Sequence, residues 1–144
     1  MQQKGALGME HLPRLAQMQC STDGLQYVLQ GGTSSFGKPC LRISVTGEMQ
    51  LVCQRCLGPL SVPVAVDVEL QLADSLREIA EADDDIDRVL ASRAMDVGQL
   101  VEDEVILALP TVPRHDSCTR ASMGAQASGS AFSGLVALKR GETR

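Results

Sequence analysis

The clearest pattern in the chain is an alternation of apolar and polar positions over residues 41–46 (LRISVT) and 49–53 (MQLVC), interrupted at Gly47 and Glu48. Strand side chains point alternately to opposite faces, so the pattern predicts a hairpin with one buried face. Residues 62–72 predict a longer half-buried strand, because six apolar positions share one face: Val62, Val64, Val66, Val68, Leu70 and Leu72. Pro63 lacks an amide hydrogen and predicts an edge or entry position.

Helical signals are fewer than strand signals. Residues 96–109 (DVGQLVEDEVILAL) place apolar residues at helical spacing: Leu100, Val101, Val105 and Ala108. Asp96 is positioned to cap this helix, with Gln99 three residues later, and Pro110 ends it. Residues 8–19 have weak helical character and residues 25–31 predict a short strand. These elements predict an α+β fold, in which an antiparallel sheet of about four or five strands, open or curled toward a small barrel, packs one main helix.

Composition divides the chain at residue 118. Residues 1–118 are predicted to form a single α+β domain, because 144 residues is the length of one domain and 44% hydrophobic residues supply a core. Residues 119–144 are predicted to be a flexible tail, since their first part is rich in Ala, Ser and Gly. The tail ends in a short apolar segment followed by Lys139 and Arg140.

Charge and composition exclude some functions. Aromatic residues make up 2% of the chain, which argues against a platform that stacks nucleic-acid bases, and a net charge of −5 argues against coating RNA by charge alone. Residues 77–88 contain six acids, which predict a solvated loop or an acidic patch for a basic partner. Glu102, Asp103 and Glu104 lie where the helix dipole favours negative charge.

No segment has the pattern of a secretory signal or a membrane span, and five cysteines do not suggest a disulfide framework. We therefore expect a cytoplasmic protein with reduced thiols, with no membrane or small-molecule substrate. The chain has no phosphate loop, dinucleotide-binding fingerprint or nucleophile elbow, so the sequence makes no case for an enzyme.

One pair of cysteines has the spacing of a metal-binding motif. Cys53 and Cys56 lie two residues apart at the end of a predicted strand, where both thiolates can face one metal ion. Zinc would need two more ligands, and His115 with Cys118 offers them. The alternative is a hairpin end with reduced cysteines and no metal. A thiol oxidoreductase is disfavoured, because its cysteine pair would begin a helix.

Three segments together resemble one family: residues 37–64, centred on LVCQRCLGPL; residues 100–118, LVEDEVILALPTVPRHDSC; and residues 132–140, FSGLVALKR. In this order they are similar to the YceD family, the large ribosomal RNA subunit accumulation proteins, over about Gly8 to Arg140. The resemblance implies a non-catalytic bacterial factor that supports synthesis or accumulation of large-subunit (23S) ribosomal RNA and ribosome biogenesis.

The residues that match the family's motifs are Cys53, Arg55, Cys56, Glu102, Asp103, Glu104, Lys139 and Arg140. Some relatives have more cysteines after the Leu-Pro turn, whereas this chain has only His115 and Cys118 there. Relatives also have further residues before a segment like 5–15, so the first Met is expected to be internal or late.

These features lead to a hypothesis of an acidic adaptor. The acids of residues 78–87, with Glu102, Asp103 and Glu104, would hold a basic ribosomal protein or large-subunit assembly factor. Arg55, Lys139 and Arg140 are the cations expected to contact ribosomal RNA locally. The alternative function is a small zinc-binding regulatory module without a ribosomal role.

Overall fold

The computed structural model of the protein describes residues 1–118, so the predicted tail, with Lys139 and Arg140, lies outside the described residues. These residues form one five-stranded sheet whose spatial order follows the chain. Its strands are β1 (Gln2–Leu7), β2 (Leu25–Thr33), β3 (Pro39–Val52), β4 (Pro59–Ala73) and β5 (Arg88–Leu90). The first four are antiparallel and β5 runs parallel to β4. The α+β prediction is confirmed, and the sheet is open rather than closed into a barrel.

The two longest strands, β3 and β4, form a hairpin that turns at residues 53–58. The predicted turn at Gly47 and Glu48 is wrong, because β3 continues through both residues and pairs them with β4. Glycine is needed at position 47 because β2 approaches closely, and a Cβ atom there would lie 2.7 Å from the Leu25 side chain. The glycine therefore marks close packing between strands and not a break in the strand.

The hairpin has one apolar and one polar face. Ile43 lies opposite Val68 on the apolar face, and the six apolar positions predicted within residues 62–72 are all buried or half-buried. On the polar face, Arg42 donates hydrogen bonds to both carboxylate oxygens of Asp67, at 2.9 and 2.6 Å. The alternation in the sequence thus predicts which side of the sheet holds the core.

The two outer strands were not predicted from the sequence. β1 pairs with β2 over its whole length, whereas β5 pairs only with Gln71–Ala73 at the end of β4. The rest of β4 has β3 as its neighbour among the described residues, which agrees with an edge position for Pro63. Residues 77–88, predicted as a loop, instead contain most of helix α2 (Leu76–Glu81) and the start of β5.

Two further helices cover the apolar face of the sheet. Helix α1 (Pro13–Gln17) follows a 3₁₀ turn at Met9–His11, so the weakly helical segment is divided in two. Helix α3 (Val97–Ala108) begins at its predicted cap, where Asp96 Oδ1 accepts a hydrogen bond from the backbone of Gln99 at 3.1 Å. The core between helices and sheet includes Leu12, Leu15, Leu25, Ile43, Val45, Met49, Val101 and Val105. Ala108, predicted on the buried face of α3, is exposed.

Candidate metal centre

The turn between β3 and β4, which we call the knuckle (residues 53–58), is fixed by its own backbone. The amide of Cys53 donates to the carbonyl oxygen of Gly58 at 2.9 Å, and the amide of Leu57 donates to the carbonyl oxygen of Cys53 at 2.9 Å. Leu57 has a left-handed backbone, with φ 61°, which costs a residue with a side chain about 1–2 kcal/mol. Such strain persists where the surrounding structure requires it, and here it accompanies the approach of two thiols.

The second pair of ligands comes from the return segment, residues 110–118, which follows α3. Pro110 prevents further helix, and the chain runs back along the knuckle, where Pro113 accepts a hydrogen bond from the backbone of Gln54 at 2.8 Å. The amide of His115 then donates to Cys53 Sγ at 3.4 Å. The return segment thereby brings its ligands to cysteines about sixty residues earlier in the chain.

The four side chains proposed from spacing alone meet at one point. One donor atom from each of Cys53, Cys56, His115 and Cys118 lies within 4.8 Å of all the others. Cys53 Sγ and Cys118 Sγ are 3.9 Å apart, and Cys56 Sγ lies 3.4 Å from His115 Nδ1. Ligands in a tetrahedron about 2.3 Å from a zinc ion are separated by roughly 3.8 Å. The cluster can therefore hold a metal ion with little movement.

The orientation of His115 suits a metal ligand. Its Nε2 lies 2.9 Å from the carbonyl oxygen of Pro59. Because a carbonyl oxygen only accepts hydrogen bonds, Nε2 is the donor, and in the neutral ring Nδ1 then has its lone pair available for a metal. A hydrogen bond from the non-coordinating nitrogen to a backbone carbonyl is common for histidines that bind metals, since it fixes both tautomer and ring.

The thiols of the cluster differ in acidity. Burial opposes ionisation of Cys53, but backbone amides of Cys56, His115 and Arg55 outweigh it and lower the pKa of this thiol to about 5. Burial raises the pKa of Cys118, and its contact with Cys53 raises it further. Cys53 is thus prepared as a thiolate, whereas Cys118 would lose its proton when a cation arrives.

The residues predicted to contact a partner differ in their exposure to solvent. Arg55 is exposed on the knuckle, and Asp103 and Glu104 are half-exposed on α3. Glu102 is only 2% exposed, so it is not available as a surface contact. Its carboxylate instead accepts hydrogen bonds from the backbone of Arg14 at 2.7 Å and of Leu15 at 2.9 Å.

Arg14 is the residue that explains the burial of Glu102. Its Nε donates to Glu102 Oε2 at 2.9 Å, and its Nη1 donates to Asp103 Oδ1 at 2.5 Å. Glu102 therefore caps the first turn of α1, where backbone amides have no partner within their own helix. Sequence reasoning missed this pair, because the two residues are 88 positions apart and Arg14 belongs to no motif.

Asp87, in the loop between α2 and β5, lies near the acids of α3. Burial raises the pKa of Glu104, and the negative charges of Asp87 and Asp103 raise it further. Asp83, Asp84, Asp85 and Asp87 are all exposed, and Asp84 is paired with Arg88. We call Asp83, Asp84, Asp85, Asp87, Asp103 and Glu104 the acidic face.

Comparison with known proteins supports the resemblance seen in the sequence. Among residues 1–118, no helix is both long and apolar enough to span a membrane. Searches of curated proteins and of solved structures gave no match to the chain. The family model described as large ribosomal RNA subunit accumulation protein YceD matches residues 41–134, which includes the knuckle, α3 and the return segment. This match covers more than half of the 144 residues, so the chain belongs to the YceD family.

Proposed function

We propose that the protein is a non-catalytic cytoplasmic factor in large-subunit ribosome biogenesis, acting as an acidic adaptor for a basic ribosomal or assembly protein. Family membership supports a role in large-subunit ribosomal RNA accumulation. The observation behind the adaptor is the acidic face, where burial raises the pKa of Glu104 and the neighbouring charges of Asp87 and Asp103 raise it further. Carboxylates that repel one another are stabilised when a cationic surface binds, because the repulsion is neutralised. Opposite charge on the two proteins also increases their association rate.

Binding to basic proteins tests the adaptor directly. We expect Asp83→Asn, Asp85→Asn and Asp87→Asn, combined in the full chain, to abolish retention of a basic large-subunit ribosomal protein at ~150 mM salt, because exposed charges dominate the predicted contact. The measurement is pull-down of purified large-subunit ribosomal proteins, with the bound proteins identified by mass spectrometry.

The matched control removes three exposed carboxylates elsewhere: Glu10→Gln, Asp23→Asn and Glu69→Gln. This variant has the same net charge and should keep the partner. Equal loss in both variants would mean that only net charge matters. Tight binding of large-subunit RNA fragments at ~150 mM salt, with no protein partner, would overturn the adaptor proposal.

We also propose that zinc occupies the cluster and has a structural role. Three thiolates and one imidazole favour zinc, and four protein ligands leave no open position for catalysis. Oxidoreductase chemistry is disfavoured despite the acidic thiol, because Cys53 is 0% exposed and an exchanging thiol must be reached by its substrate. The same cluster would also suit the alternative function, a zinc-binding regulatory module without a ribosomal role. The two functions differ in their effect on cells that lack the protein: only the ribosomal role predicts a loss of large-subunit ribosomal RNA.

A further inference from the structure

A cleft of about 730 Å³ lies beside the metal cluster. One wall comes from the knuckle and the start of β4, including Arg55 and Ser61, and the other comes from the return segment, including Val112 and Arg114. His115 lies on the wall as well, so the cleft and the cluster share a residue. The two walls belong to segments of the chain that meet at the cluster.

The cleft lining has a small excess of positive charge, from Arg55 and Arg114 against Asp116, although the protein as a whole is acidic. The cations that form ion pairs with carboxylates of the described residues are Arg14, Lys38, Arg42, Arg77 and Arg88. Within residues 1–118, neither Arg55 nor Arg114 forms such a pair, and both are exposed. Two arginines with unused donors therefore face one cavity from opposite walls.

We propose that this cleft binds the phosphodiester backbone of RNA, with Arg55 and Arg114 each contacting a phosphate. Arginine presents a planar set of donors that matches phosphate oxygens. RNA is favoured over an acidic peptide because the family is one of ribosomal RNA accumulation. This inference rests on the ribosomal role proposed above. It concerns RNA binding at the cleft beside the knuckle, whereas the adaptor proposal concerns protein binding at the acidic face.

The metal cluster positions the two arginines. Arg55 lies between Cys53 and Cys56, and Arg114 directly precedes His115. Ligands fixed by one ion would fix the backbone that presents both guanidinium groups, so their separation is set before RNA arrives. Preorganisation of this kind lowers the entropic cost of binding.

Two contacts predict weak binding that depends on salt. For a single strand, each phosphate contact contributes about −0.7 to the slope of log affinity against log salt, so two contribute about −1.4. Raising salt from ~50 to ~200 mM should then weaken this part of the binding about sevenfold. A weak contact of this kind agrees with an adaptor that also binds a protein.

The test measures fluorescence anisotropy of a labelled single-stranded RNA of about ten nucleotides with the full chain at several salt concentrations. We expect Arg55→Gln combined with Arg114→Gln to make the slope shallower by about 1.4. The matched control, Lys4→Gln combined with Arg93→Gln, removes two exposed cations elsewhere and should leave the slope within about 0.3 of the original. Thermal unfolding of each variant verifies that the fold is retained.

A gain of affinity provides a second, independent readout. Asp116 is exposed at the cleft, where its carboxylate repels phosphate. Asp116→Asn should therefore bind the RNA about twofold more tightly, an effect that misfolding does not produce.

Three results would overturn the cleft proposal: an unchanged slope in the double arginine variant, an equal change in the control, or preference for a polyglutamate peptide over RNA. None of these affects the adaptor proposal, which depends on a different surface. Conversely, if no ribosomal protein is retained in the pull-down but the salt dependence of RNA binding is as expected, the cleft proposal stands and the adaptor proposal is wrong.

Discussion

The two ends of the β3–β4 hairpin are held by different forces. Near its open end, α3 packs against the sheet and Val101 and Val105 are fully buried. At the other end, Leu57 of the knuckle is 73% exposed and Val112 of the return segment is 56% exposed, so both side chains leave much of their apolar surface in solvent. Four side chains that can hold a metal ion lie at this end instead. The proposed zinc ion would stabilise the part of the hairpin that the helices do not cover, as metals do in small domains with limited cores.

Two buried cysteines, Cys40 near the start of β3 and Cys53 just after its end, test this comparison with the largest expected effect. Cys53→Ser should lose essentially all bound zinc and lower the unfolding midpoint, because three ligands do not close the site. Cys40→Ser changes a buried cysteine that lies opposite Gln71, far along the strand from the knuckle, and should keep its zinc. Metal content by plasma mass spectrometry and thermal unfolding provide the readouts. Zinc retained in Cys53→Ser would refute a structural metal at the knuckle.

A medium effect is expected at the helix-packed end. Glu102→Ala leaves the first amides of α1 without their acceptor in a buried position, and should cost about 3 kcal/mol in the free energy of unfolding. Asp103→Ala removes a half-exposed partner of the same arginine and should cost much less. Chemical denaturation measures both. Equal costs for the two variants would show that Glu102 acts only through a surface ion pair.

The smallest effect is expected at the acidic face. Burial and neighbouring acids raise the pKa of Glu104 above its unfolded value, so its ionisation costs stability as pH rises through the unfolded and then the folded pKa. Glu104→Gln should therefore raise the unfolding midpoint at pH 7, and the gain should vanish below about pH 4. Thermal unfolding across pH checks this sign. A lower midpoint at pH 7 would mean that the carboxylate has a stabilising contact.

The sequence predicts the parts of the fold that depend on local periodicity. β4 and α3 have long alternating or helical patterns and a recognisable cap, and both appear as predicted. β1 (QQKGAL) has no alternation and is a strand because β2 offers an edge, while β5 has three residues. In the sequence Gly47 predicts a turn, because the sequence does not show the approach of Leu25, whose side chain leaves no room for a Cβ atom at position 47.

The sequence predicts the possible metal ligands of the site, but it does not predict that Glu102 is buried. Cys53, Cys56, His115 and Cys118 were found from two short spacings, because metal ligands must be thiolates or imidazoles that can approach one another. The burial of Glu102 depends on Arg14, far away in the chain, so no local pattern could distinguish it from its exposed neighbours. Long-range pairs of this kind become visible only in three dimensions.

The central claim, a role in large-subunit ribosomal RNA accumulation, is tested most directly by the ratio of large- to small-subunit ribosomal RNA, with precursors, in cells that lack this protein. We expect a selective fall of large-subunit RNA that the intact chain restores. An unchanged ratio in cells verified to lack the protein would contradict it, and the zinc-binding regulatory module would then be the better description.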